Sequence, residues 1–498
     1  TVTGSGKALF DNINAVENLV IGGEGCGEIE ITKPNSYSWY NLKNLTLGKG
    51  VSYIGERFFE GASNLTEVVI PNTIKYIGEY AFIYCRNIAS VVIEGGNNAV
   101  IEDYAFGVSF MGDHGAKYTC SDSALTSVIV GEGVTEIHNY VFQFNDTKEL
   151  TLKLPKSIEY LGKLCDGWSD VATVKPCVKG SKGELYFESE TGEPVVLYRA
   201  YIYENGRTVY PEIDIPSTVK IINSYKIKDS DIVSGTYTVP EQVTQINYLG
   251  MINAQPISLV VSANVKYMPT EALSLDSFEN ITIEGNTKFG FSEDTIKGKT
   301  SIITPFGTGI RKTLKNVTIS ANNEYYAVEN GVLYNKNKTN AIAMIYFADG
   351  FDGSVTLANT VETISDYAFS QIEEITSIDF GSSLISIGKS AFYNTGITSL
   401  VLPDSFKKIG DSAFGECNIT SIDIPCGVTG LEYLHSFLFN NIEGTFTEDG
   451  SLYLKGRGND YYYLLQGKAT KEYSVKEGVG CIYSGAMVAE IKTLIVPT

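Results

Sequence analysis

The chain has 498 residues, 43% of them hydrophobic, and 58 acidic against 38 basic side chains give it a formal net charge of −20. That charge repels phosphate backbones and anionic headgroups, which argues against nucleic acid as a ligand. No run approaches the roughly 18 apolar residues a membrane span requires, so no direct membrane insertion of this chain is expected. In chain order, the first residue is Thr1 and no basic and apolar leader precedes it, so any signal peptide is expected to have been removed. Thr498 follows Pro497 in mid-repeat, and truncation is expected there too.

From about residue 40 a segment returns about every 23 residues, which predicts a solenoid that lengthens without enlarging its core. Leu42, Leu65 and Ile88 mark the step, as do Ile364, Ile387 and Ile409 further on, tracked by Phe369, Phe392 and Phe414 at a constant offset of five. Within one coil, Leu65-Thr-Glu-Val68-Val-Ile70-Pro71 is short, β-branched and stopped by a proline that cannot donate to a ladder, so it reads as one strand with Leu65, Val68 and Ile70 inward. The same stop recurs at Pro155, Pro216, Pro240, Pro403 and Pro425.

Ile77-Gly78 then turns the chain, with Gly55, Gly162, Gly388 and Gly410 in the same slot, where a left-handed or crowded backbone is expected. A short polar residue follows (Asp103, Asn139, Asp366, Asp411), placed to cap a helical turn ahead of the buried pair Ala81-Phe82 or its counterparts. The return limb is therefore predicted as one to two helical turns with a spine of Phe. Cys85 and Cys417 fall three residues after that Phe, where other coils have small side chains, and are predicted to be packed free thiols. The other six cysteines show no CxxC spacing.

This order of strand, Ile-Pro, Ile-Gly, Ala-Phe and Cys resembles the BspA-like class of leucine-rich repeat, most clearly over about 40–165 and 355–430. The resemblance implies an α/β solenoid: a leucine-rich repeat right-handed superhelix with one short parallel strand and a short helical or irregular return limb per coil, interrupted by β-hairpins. Three regions are expected: an N-terminal repeat array over 1–165, degenerate repeats with hairpin insertions over 166–310, and a C-terminal array over 311–498. The hairpins are placed at Gly183-Glu-Leu185-Tyr186, Gly331-Val-Leu333-Tyr334 and Gly450-Ser-Leu452-Tyr453, inserted into or replacing the return limb. Residues 107–124, with Phe110, Met111, His114 and Cys120, form a separate insertion that breaks the period.

Catalytic machinery is absent from the pattern. The three histidines, His114, His138 and His435, lie in unrelated settings, with His138 expected to be exposed, and no GxSxG, HExxH or P-loop motif occurs. No enzyme activity, metal or cofactor is expected, although 58 acidic residues leave room for carboxylate pairs of the kind that hydrolyse sugars. The Asn-x-Thr sequons follow from the phrasing of the repeat.

Projecting the outward strand positions gives two columns on the open face of the sheet. One runs Asn44, Glu67, Ser90, Ser127, Thr151, and the other Thr46, Val69, Val92, Ile129, Lys153. Val69, Val92 and Ile129 put an apolar strip toward solvent beside Glu67, Ser90 and Ser127, and these six are the candidate binding residues, on what the resemblance makes the concave face. The competing explanation is plain β-propensity. In the second array Asp379 and Asp423 flank Val401, two coils or about 9.6 Å apart, too far to share one cation. The resemblance implies an extracellular or cell-surface recognition protein adhering to host or matrix proteins. A carbohydrate-binding or carbohydrate-active protein, for which a right-handed β-helix is the competing scaffold, and a structural spacer are the alternatives.

Overall fold

The computed structural model describes residues 6–8, 15–32, 39–107, 123–142, 150–162, 177–205, 207–211, 213–227, 231–251, 257–269, 272–273, 278–290, 292–293, 302–304, 307–308, 313–425, 427–429, 443, 445–448, 451–457, 462–466, 472–482 and 493–495. They form a β-solenoid of about 14 turns among the described residues. Two compact units divide it: Thr1–Lys228 with Pro240–Ile252 and Asn264–Tyr267, and Asp229–Val239 with Asn253–Ala263 and Met268–Thr498.

In the first unit the strand Glu67–Ile70 alternates exposed and buried residues, as the period of two demands, and Leu65, Val68 and Ile70 are buried as predicted. It pairs in parallel with Ser90–Ile93, which pairs with Ser127–Val130 and that with Thr151–Lys153, so that Val68, Val91, Val128 and Leu152 stand in one inward row. Each coil carries a second strand as well. Ile29–Ile31, Val51–Ile54, Tyr76–Ile77, Ala99–Ile101, Val134–Ile137 and Tyr160–Leu161 form their own parallel sheet, so the expectation of one strand per coil is corrected to two. A strand of two residues has no alternation to read, which is why Tyr76–Ile77 passed for part of a turn.

The return limb is not helical, and among the described residues there is no α-helix, so the α/β expectation is corrected to a β-solenoid. The cause lies in the backbone. Two residues before each repeat Phe, the residues Arg57, Tyr80, Tyr104 and Tyr140 take φ of 52° to 59°, and two residues after it Gly61 and Tyr84 are also left-handed, at 73° and 64°. Left-handed residues at this spacing forbid helix propagation. The amides of Arg57, Phe59 and Gly61 are turned instead toward the next coil, donating to the carbonyls of Glu79, Ala81 and Ile83 at 3.1, 2.8 and 2.8 Å. The intervening amides of Phe58, Glu60 and Ala62 close tight turns on Gly55, Arg57 and Phe59. The limb is thus a third hydrogen-bonded ladder made of tandem turns. The polar residues predicted as helix caps serve it across coils: Asp103 Oδ1 accepts from the Asn139 amide and Asp366 Oδ1 from the Lys389 amide, both at 2.6 Å.

Inside the limb the predicted Phe spine is present. Phe59, Phe82, Phe106 and Phe142 stack with centroids 4.8, 4.8 and 5.6 Å apart, all buried. Cys85 is buried and unpaired, its thiol donating to the Phe59 carbonyl at 3.2 Å, and burial raises its pKa to about 12. In some coils the slot after the second strand is too crowded for a side chain: a Cβ on Gly78 would meet the Glu56 amide at 2.7 Å, while Glu102, His138 and Ser365 fill the slot in others.

The second unit repeats the scheme over residues 354–424. Ser354–Thr356 pairs with Ser377–Asp379, Ser399–Val401 with Ser421–Asp423, and the second strands Thr363–Ile364, Ser386–Ile387 and Lys408–Ile409 pair in turn. Phe369, Phe392 and Phe414 stack at 4.9 and 5.2 Å, and Cys417 is a buried free thiol bonded to the Phe392 carbonyl. All three predicted hairpins form, but they end in the second-strand position and do not replace the return limb, and Glu188 of the first hairpin also pairs in parallel with Lys153 of a first strand. The last strand of each (Pro194–Arg199, Asn340–Met344, Tyr462–Gln466) pairs in parallel with the second strand of the following coil. Beside the last hairpin, Arg457 joins it to two coils by bonding Asp404, Asp423 and the Leu402 carbonyl. Most of the 107–124 insertion, with Phe110, Met111, His114 and Cys120, lies outside the described residues, as does His435.

Candidate recognition surfaces

The six predicted binding residues are brought together. Strand register sets Glu67 beside Ser90 and Ser90 beside Ser127, and in the adjoining row Val69 beside Val92 and Val92 beside Ile129. Val69 is 42% exposed, while Val92 and Ile129 are half-buried, less open than their outward position suggested. The row ends on Lys153, paired with Glu188 at 3.1 Å. An earlier coil adds Val20, 36% exposed and in register with Thr46, which the sequence reading missed because the repeat is unrecognisable before residue 40. In the second unit Val401 is 61% exposed, but its neighbour Asp423 accepts from Arg457 and Asp379 from the Gly381 amide.

A second surface, which sequence reasoning did not assign, lies where the second strand meets the turn ladder. Outward from the second strands, Tyr53 and Tyr76 stack at 4.9 Å and 11° between planes. On the ladder side Tyr80 and Tyr104 stack at 5.4 Å, Tyr140 follows at 5.0 Å, and the Arg57 guanidinium covers Tyr80 at 4.4 Å. The 23-residue spacing of Tyr53 and Tyr76 was the available clue. Burial, and then Glu102, push the Tyr76 hydroxyl up to about 12, and burial with Glu79 does the same for Tyr80, so both remain neutral donors.

His138 stands in the glycine slot of its coil and is half-buried, not exposed as expected. Its Nδ1 lies 3.0 Å from Glu102, its Nε2 3.2 Å from Glu136, and Tyr160 meets the ring edge-on at 5.2 Å. The hydrogen bond to Glu136 outweighs burial and, with the charges of Glu102, Glu136 and Asp103, raises its pKa above 6.5. No group of His, Cys, Asp and Glu side chains suited to a metal occurs among the described residues. Nor is any helix among them long and apolar enough to cross a membrane.

Six copies of the BspA type leucine rich repeat region match the chain, over residues 6–112, 115–165, 199–302 and 340–446, well over half of its length. Among solved structures it is similar to a leucine-rich repeat protein from Eubacterium ventriosum, at 18% identity over 73% of this chain and 61% of that one, with a TM-score of 0.23. The chain thus spans less than two thirds of that protein. It is also similar to a leucine rich cell surface protein from Faecalibacterium prausnitzii (17% identity, 84% and 87% of the two chains, TM-score 0.27) and to the pneumococcal vaccine antigen PcpA (13%, 99% and 83%, 0.20). Likeness at these scores carries no argument about function. No curated protein matches the sequence.

Proposed function

The chain belongs to the BspA-type leucine-rich repeat family, and from that premise we propose that it is a non-enzymatic recognition protein of the cell surface or extracellular space, holding a protein partner on the open face of its first-strand sheet. The observation that carries this reading is the row Val69, Val92, Ile129, in register on consecutive coils and rimmed by Glu67, Ser90 and Ser127. An apolar strip with a polar border is the ordinary composition of an interface centre and rim. With a net charge of −20, the matching partner is one with apolar side chains bordered by basic residues, as host or matrix proteins can supply.

The test is a binding screen against extracellular-matrix proteins with the triple variant Val69→Glu, Val92→Glu, Ile129→Glu as control. Fully burying such a side chain is worth about 1.5–3 kcal/mol and Val92 and Ile129 are already half-buried, so the variant should lose at least about tenfold in affinity while remaining folded by circular dichroism. Undiminished binding by the variant overturns the proposal.

A further inference from the structure

The tyrosine stack on the second strands stops short. In sheet register the column runs Glu30, Tyr53, Tyr76, so Tyr76 covers one face of Tyr53 and the coil on its other side contributes no ring. There a cavity of 330 Å³ opens, lined by Thr32, Tyr53, Gly55, Glu56 and Arg57. Its volume falls at the lower end of ligand pockets. Gly55 forms a floor of bare backbone, since a Cβ there would come within 2.9 Å of the Ile31 carbonyl and 3.7 Å of the Tyr53 ring. Glu30, whose register place adjoins Tyr53, does not line the cavity, which is a recess open to solvent between Thr32, the Tyr53 ring and the Gly55 backbone.

The polar groups around it select the ligand. Arg57 is held at the rim by Glu56 at 3.6 Å, by Glu60 at 3.4 Å and by the face of Tyr80, so its donors are fixed and its charge is offset. Glu56 offers a carboxylate and Thr32 a hydroxyl. An anionic ligand would meet Glu56, Glu60 and the net charge of −20, and a cationic one would have to compete with Arg57 for carboxylates that it already pairs with. A neutral ring bearing several hydroxyls satisfies both donors and acceptors while its C–H face lies on Tyr53. We infer that this cavity is a subsite for one neutral pyranose unit of a glycan, on a face distinct from the proposed protein-binding strip and independent of it.

The test uses the whole chain and a panel of neutral methyl pyranosides of glucose, galactose, mannose and N-acetylglucosamine, followed by saturation-transfer NMR, with arginine amide and acetate as charged probes. At least one pyranoside should bind, Tyr53→Phe should retain it, and Tyr53→Ala should lose about tenfold or more in affinity. Because Tyr53→Ala also removes the stack on Tyr76, a second variant covers the open face of Tyr53 instead: Glu30→Tyr, in register with Tyr53, should extend the stack, keep the fold and abolish pyranoside binding. Absence of binding by every pyranoside, binding that survives Glu30→Tyr, or tighter binding of either charged probe overturns the inference.

Discussion

In the array of residues 44–161 the left-handed position two residues before each repeat Phe is filled by Arg57, Tyr80, Tyr104 and Tyr140, whereas in the array of residues 354–424 it is filled by Tyr367, Ser390 and Ser412, with φ of 48° to 59°. The second-strand column differs in the same direction: Tyr53 and Tyr76 in the first array, Thr363, Ser386 and Lys408 in the second. So does the first-strand face, with Val69, Val92 and Ile129 against Thr356, Asp379, Val401 and Asp423. Backbone and core are held constant and the outward Ser row is shared, while the neighbouring columns change. A left-handed L-residue costs roughly 1–2 kcal/mol, and neither Tyr nor Ser has a preference that would place it there. The conformation is imposed by the coil-to-coil ladder, in which Tyr367, Phe369 and Gln371 donate to the next coil just as Arg57, Phe59 and Gly61 do. Because the ladder, not the residue type, fixes the shape, that position is free to carry function.

If the core is common, breaking it should cost the same in both arrays. Phe82→Ala and Phe392→Ala each remove the middle ring of a buried stack, and each is expected to cost about 3–5 kcal/mol, read by denaturant unfolding. A loss under about 1 kcal/mol in one array and not the other would show that the spine is not equivalent.

Exchanging the residue at the left-handed position should produce smaller effects. Tyr80→Ser gives the first array the second's residue and forfeits the stack on Tyr104 and the guanidinium of Arg57, a loss of about 1–2 kcal/mol. Ser390 is only 4% exposed, so Ser390→Tyr, which would set a ring one coil from Tyr367, has to displace packed atoms and should cost about 1–3 kcal/mol, measured as a fall in melting temperature. A stabilising Ser390→Tyr would mean that the second array has room for the aromatic column. At the left-handed position two residues after Phe, the first array holds Gly61 and Tyr84 and the second Gln371, Asn394 and the exposed Glu416. Glu416→Gly should therefore stabilise by about 0.5–1 kcal/mol and Gly61→Ala destabilise by about 1, and the same sign for both would refute backbone strain as the cause.

How much of this was readable follows from the kind of force at each position. Leu65, Val68, Ile70, Phe82 and Cys85 were placed correctly because burial selects residue type, and residue type is what a sequence records. The hairpins at 185, 333 and 452 were readable through their glycines and alternation, but the place they take in the coil was not, since that is decided by pairing with Ile221, Thr363 and Val479 far along the chain. The turn ladder was misread as helix because its hydrogen bonds run between coils, and nothing local in Tyr80-Ala81-Phe82 announces them. The binding columns were legible as geometry, whereas the Tyr53 cavity was not, because it lies between Thr32 and the coil of Tyr53, Gly55, Glu56 and Arg57, and the repeat is unrecognisable before residue 40.

The smallest expected difference concerns the slot after the second strand, which holds Gly55, Gly78, Glu102 and His138 in the first array and Ser365, Gly388 and Gly410 in the second. His138 has a folded-state pKa raised above 6.5 by Glu136, Glu102 and Asp103, so its protonated form is favoured by folding. The stability it contributes is fully present below about pH 6.5 and is lost as pH rises through the raised folded value. For a half-buried pair exposed on one side the effect should stay within about 1 kcal/mol. His138→Gln removes the titration, so unfolding at about pH 6 should separate the variant from the parent more than at about pH 9. An equal gap at both pH values would mean that Glu102 and Glu136 hold the neutral ring as well as the imidazolium, and that this slot distinguishes the arrays by packing alone.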